Sequence, residues 1–146
     1  MTPMPARAPQ LPLGVAEMDE DHARLEAMME AAALVVESDL AAALAAVQRE
    51  LAAHFVREET LLAEAGFPAL GCHVAQHRRL LELAAEAMAT SAARPAELRG
   101  FLADVLPGLV AGHIASIDRV SAEFLNGRIS GAMFGSLRAA GQGAAS

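Results

Sequence analysis

Residues 54 to 77, HFVREETLLAEAGFPALGCHVAQH, constrain the fold more than any other stretch of the chain. His54 and Glu58 are four residues apart, as are His73 and His77, and Gly66-Phe67-Pro68 separates the two pairs. On an α-helix, residues four apart sit roughly 40° from each other about the axis and one turn along. Each pair can therefore aim both side chains at one point. The Gly-Phe-Pro signal ends one helix and lets the next return beside it. Two chelating pairs on antiparallel helices are what a metal site inside a helical bundle needs.

The rest of the chain reads as helix around this stretch. A length of 146 residues bounds one domain, long enough to bury a core without staples. Much of the 54% hydrophobic content is alanine, and aromatic residues make up only 3%. Closely packed helices are expected and strands are not, giving an all-α fold.

In chain order, residues 1–15 form a proline-rich arm with Pro3, Pro5, Pro9 and Pro12, expected to be extended. A domain over residues 16–126 follows, then a tail over 127–146 that is flexible or holds a short helix around Ile129, Met133, Phe134 and Leu137. The first helix is expected to start at Asp19 as N-cap, with Leu25, Met28, Met29, Ala32 and Val36 as its buried stripe. Ser38 is the next expected cap. The second helix spans about Leu40 to Ala65 and ends at Gly66. The third spans about Ala69 to Met88, and Thr90 to Arg94 form a loop. The fourth starts at Pro95 and reaches Leu125, with Gly127 ending it. Pro107-Gly108 inside it predicts a kink or short break.

Charge and cysteine usage narrow the partners. A net charge of −7 argues against nucleic acid and anionic membrane surfaces. No apolar run free of charges reaches membrane-spanning length, and the prolines at the start do not suit a secretory signal. A single cysteine, Cys72, fits a reducing compartment, so a cytoplasmic setting is expected.

All five histidines, His22, His54, His73, His77 and His113, fall on the four expected helices. Any one alone reads as an exposed or satisfied core histidine. Together, with Glu58 and Asp118, they exceed the roughly four ligands that zinc takes in a closed site. They suit two metal ions bridged by the carboxylates, with iron, manganese or zinc all compatible with imidazole and carboxylate donors. His113 and Asp118 are five apart, roughly 140° off a common face in a regular helix. If both face one centre, a π-type widening is expected there.

The pieces MDEDH (Met18–His22), HFVREE (His54–Glu59), GFP with HVAQH (His73–His77) and HIASID (His113–Asp118) resemble the hemerythrins, the bacterial single-domain ones above all. Order and intervals agree over roughly residues 15 to 125. The resemblance implies an up-down-up-down four-helix bundle around a non-haem di-iron centre. It implies His73, His77 and His113 on one iron, and His22 and His54 on the other, which keeps an open position. Glu58 and Asp118 would bridge both irons beside a solvent-derived oxo or hydroxo bridge. The implied function is reversible binding of dioxygen for storage, delivery or sensing. The alternatives on the same site are a di-iron peroxidase or oxidase, and a redox- or nitric-oxide-responsive signalling module.

The sequence departs from that family at Leu109, where a tryptophan is common, and at Phe67, where a tyrosine is usual. An oxygen pocket lined by Phe55, Leu109, Val110 and Ile114 is expected, roomier than a tryptophan would leave it. Cys72 is expected to be a small buried hydrophobe at a helix start. Glu59, about 100° around from Glu58, is expected to be solvated or to support a ligand. A protein partner could reach the two termini, and the expected state is a monomer.

Overall fold

The computed structural model describes residues 11–132, which form four helices and, among those residues, no strand. Helix α1 is Ala16–Ala32, α2 Leu40–Glu64, α3 Leu70–Ser91 and α4 Pro95–Leu125. Short connections join them, so chain neighbours pack antiparallel in a four-helix bundle.

Helix α1 starts three residues before the expected N-cap. Its entry is set from outside the helix: Asp19, in the first turn, accepts hydrogen bonds from the Leu13 N–H (2.7 Å, Oδ1) and the Gly14 N–H (3.1 Å, Oδ2). Gly14 has φ +84°, and a Cβ there would meet Asn126 Nδ2 at 3.2 Å. Asn126 in turn donates to Leu13 O. The described part of the proline-rich arm is thus tied to the start of α1 and the end of α4, which lie side by side at one end of the bundle. Met133, Phe134 and Leu137 lie outside the described residues.

Helix α1 also stops earlier than its apolar pattern suggests. Val36 is 65% exposed rather than part of the stripe, and Met28 is half-buried. A 3-10 turn, Glu37–Asp39, leads into α2, and neither Ser38 nor Asp39 caps it through a side chain. At the other end of α2, Gly66 has φ +71°. Gly66 N–H bonds Ala63 O and Phe67 N–H bonds Leu62 O at 2.9 Å. This paired termination is reinforced by burial of Leu62 and Phe67 against each other's surroundings.

Helix α4 does not break at Pro107-Gly108. It widens just before them, as a π segment at Phe101–Val105 in which the Leu106 N–H reaches Phe101 O. The widened turn contains Ala103, the residue whose carbonyl a proline at 107 would crowd and leave without a donor in a regular helix. A second π segment, Ile114–Asp118, lies between the two site residues of this helix, where the five-residue spacing called for it. By length and composition α4, 31 residues from Pro95 to Leu125, is long and apolar enough to cross a bilayer. Its Leu98, Leu102, Leu106 and Val110 stripe is buried in the bundle.

Most of the apolar core fills one half of the bundle: Leu25 and Met29 from α1, Leu40, Leu44, Val47 and Leu51 from α2, Leu80 from α3, and that α4 stripe. A smaller cluster around Leu62, Phe67, Phe124 and Ile129 closes the opposite end. Between the two apolar layers the helices bury polar groups instead.

Candidate metal centre

Seven side chains meet in that middle layer: His22 from α1, His54 and Glu58 from α2, His73 and His77 from α3, and His113 and Asp118 from α4. Each is at most 8% exposed, and Asp118 is at 0%. They fall into two groups of potential ligands, Glu58, His73, His77, His113 and Asp118 in one, and His22, His54, Glu58 and Asp118 in the other. Only the two carboxylates belong to both.

The carboxylates divide their oxygens between the groups. Glu58 Oε1 lies 2.5 Å from His73 Nε2 and 3.5 Å from His77 Nε2, while Oε2 lies 3.0 Å from His54 Nε2 and 3.8 Å from His22 Nε2. Asp118 Oδ1 lies 3.0 Å from His113 Nε2 and 3.2 Å from His73 Nε2, while Oδ2 lies 3.0 Å from His22 Nε2. The widened turn at Ile114–Asp118 lets His113 and Asp118 face this point together.

Groups behind the rings fix which nitrogen faces the centre. His54 Nδ1 lies 2.9 Å from Asp21 Oδ2, and His77 Nδ1 lies 2.9 Å from Glu59 Oε1. An ionised carboxylate only accepts, so these Nδ1 atoms carry the proton. His73 Nδ1 lies 2.8 Å from Ser121 Oγ, whose own hydrogen is directed to Ile117 O at 3.1 Å. That leaves Ser121 as acceptor and His73 Nδ1 as donor. In all three rings Nδ1 is thus engaged behind the ring and Nε2 is left facing inward, the nitrogen that a metal would take in place of a proton.

The electrostatics call for cations. Glu58 and Asp118 bring two negative charges into the core, and no lysine or arginine reaches them among the described residues. Burial alone would raise the Glu58 carboxyl, but the imidazoles of His22, His54, His73 and His77 gathered around it hold it far below the usual range. Burial likewise opposes ionisation of Asp118, and His113, His22 and His73 outweigh it despite the nearby Glu58. Burial lowers His22 and His73, but Asp118 and Glu58 raise both further, to about 9. Protons and metal ions compete for the same nitrogens in such a site. Six buried atoms facing the centre make no hydrogen bond: His22, His77 and His113 Nε2, Glu58 Oε2, and both Asp118 oxygens. Buried polar atoms without partners are rare, and a pair of metal ions would satisfy them.

All seven expected ligand residues are therefore brought together. Of the four expected pocket residues, Val110 and Ile114 come together and Phe55 and Leu109 lie elsewhere. Val110 and Ile114 line a small cavity beside His22 with Glu26, Met29, Pro107 and Ala111. Its volume is about 20 Å³, so it is not roomy. Phe55 instead stacks on His77 (ring centroids 3.8 Å apart, 7° between planes). Leu109 packs half-buried against the main core, away from that cavity. Cys72 is exposed rather than buried, because the face of α3 it shares points outward while His73 and His77 point in.

Asp21, Arg57 and Ser121 were not legible as site residues. Asp21 reads as one more acid in the first turn of a helix, and Ser121 as a neutral helix residue. The one usable signal is spacing: Ser121 is three residues after Asp118, on the same helical face.

A helical bundle that buries five histidines and two shared carboxylates is a metal-binding protein with room for two ions. The hemerythrin HHE cation binding domain matches residues 13–125 of the chain. The bacteriohemerythrin of Ralstonia nicotianae is 32% identical over 115 residues, covering 79% of this chain and 84% of that protein. No solved structure matches it closely enough to count as a relative. The chain belongs to the hemerythrin family.

Proposed function

We propose that this chain binds dioxygen reversibly at a non-haem di-iron centre. The observation that carries the proposal is the sharing of Glu58 and Asp118 between a three-histidine group and a two-histidine group. His73, His77 and His113 hold one iron; His22 and His54 hold the other, which is one protein ligand short. Imidazole and carboxylate donors suit iron, and the solvent-derived oxo or hydroxo bridge belongs to this reading. When bound, the pair supplies two electrons and an open coordination position. A single cysteine supports a cytoplasmic setting.

The chain's own residues supply the rest. Asp21, Glu59 and Ser121 keep three Nε2 atoms facing inward. The cavity beside His22, at about 20 Å³, only just exceeds the roughly 10–15 Å³ that one water needs. Its size suits a ligand of two or three atoms, and Met29, Val110 and Ile114 make its lining mostly apolar. The test is gas exchange by the reduced, iron-loaded protein. Uptake of one dioxygen per two irons, fully recovered under vacuum, supports the proposal; uptake without recovery overturns it.

One observation favours a second reading, turnover as a peroxidase or oxidase. Glu26 lines the same cavity as His22. It places an ionisable carboxyl beside the ligand, where general acid–base chemistry needs one.

A further inference from the structure

We propose that Asp21, clamped by Arg24 and Arg57, is the positioning residue that sets the affinity and redox character of the two-histidine metal position through His54. The inference rests on the reading of the site as a two-metal centre.

Asp21 is 6% exposed and lies next to His22 on α1. Its Oδ2 accepts from His54 Nδ1 and from Arg57 Nε, both at 2.9 Å. Its Oδ1 accepts from Arg57 Nη2 at 3.1 Å and from Arg24 Nη2. The bidentate arginine fixes the plane of the carboxylate and with it the orientation of the His54 ring. Both guanidiniums also approach Glu50, Arg57 Nη2 at 3.0 Å and Arg24 Nε at 3.5 Å. A continuous charged ladder runs from the surface to the back of one ligand, along a groove of about 540 Å³ that also reaches Glu58.

The other supported rings are held differently. His73 has the neutral Ser121 hydroxyl behind it. His77 has Glu59, whose side chain is 29% exposed and meets no arginine among the described residues. His54 alone has a buried carboxylate whose charge is balanced by two cations. A bare carboxylate would draw the Nδ1 proton and make His54 a stronger electron donor. The arginines oppose that draw. The donor strength of His54 is thus set by the balance between Asp21 and its clamp, without altering any ligand.

The two parts of the balance can be moved in opposite directions. In Asp21→Asn a weaker acceptor remains behind His54, so the higher metal oxidation state loses support and the midpoint potential of the iron-loaded protein rises. In Arg57→Gln the carboxylate loses its bidentate partner and keeps only Arg24, so His54 donates more strongly and the potential falls. Asp21→Ala removes the acceptor altogether and lowers metal affinity about 10- to 100-fold at one of the two positions; Asp21→Asn restores part of that loss. The experiment is potentiometric titration of these variants beside wild type, with metal content and thermal midpoint measured on each. Arg57 is a half-exposed surface residue, so its variant folds even if Asp21→Ala does not. Opposite shifts support the inference. Shifts of the same sign, or none, with two metals still bound, overturn it. A wild-type chain that takes up no metal overturns both this inference and the proposed function.

Discussion

His113 and Asp118 face the same point, His113 Nε2 lying 3.0 Å from Asp118 Oδ1, although five residues separate them in the chain. A regular helix would turn them roughly 140° apart. The π segment at Ile114–Asp118 closes that angle, and the Arg119 N–H reaches Ile114 O in consequence. The helix gives up regular bonding to place a shared carboxylate between the two histidine groups.

Asp118 should therefore matter more for metal than for folding. Asp118→Ala removes one of the two carboxylates common to both groups. Its metal content should fall from two ions per chain to one or fewer, read by elemental analysis after gel filtration. Helical content should be retained in circular dichroism.

Ser121→Ala leaves every ligand in place but removes the acceptor for the His73 Nδ1 proton. Loss of such a supporting bond costs about 10- to 100-fold in metal affinity. Competition with a chelator should show that loss at one of the two positions. Ser121→Thr, which keeps the hydroxyl, should recover part of it if the added methyl is accommodated.

Protons and metal should exchange places with pH in a predictable sense. In metal-free protein, His22 and His73 titrate at about 9, above the ordinary 6.5. A raised pKa contributes stability that is fully present below about 6.5 and is lost as the pH rises through about 9. The metal-free chain should lose thermal stability across that window. The gain in midpoint on adding metal should grow across the same window, because fewer protons must be displaced. Thermal melts of both forms at matched pH check the two trends.

Core and surface should separate cleanly. Leu44 is at 0% exposure, so Leu44→Ala should cost about 2–5 kcal/mol in denaturant unfolding. Val105 is 51% exposed, so Val105→Ala should change stability by no more than about 0.5 kcal/mol. Neither should alter metal stoichiometry, since both lie outside the ligand groups.

The ligand set was legible because its chemistry is written locally. His54 with Glu58, and His73 with His77, carry their geometry in a four-residue spacing, and the awkward step from His113 to Asp118 announced its own widened turn. The widening at Phe101–Val105 was not legible as such. Pro107 signals a disturbance, but whether a helix kinks, breaks or widens is decided by its packed neighbours. The start of α1 was misplaced because Asp19 resembles an N-cap, and only the path of Leu13 and Gly14 shows that it reaches backwards. Phe55 and Leu109 do not line the cavity beside His22, because helical spacing gives a face but not what packs against it: Phe55 stacks on His77 and Leu109 packs against the main core. Asp21 was overlooked because its partner His54 is thirty-three residues away on another helix.

The most direct measurement is Mössbauer spectroscopy of the reduced protein loaded with isotopically enriched iron, together with its iron content. Glu58 and Asp118 shared between groups of three and two histidines predict two irons per chain in two distinct environments of equal weight. On addition of dioxygen both should change together and both should return when the gas is removed. One iron per chain, or two that respond independently, would contradict a bridged pair at this centre.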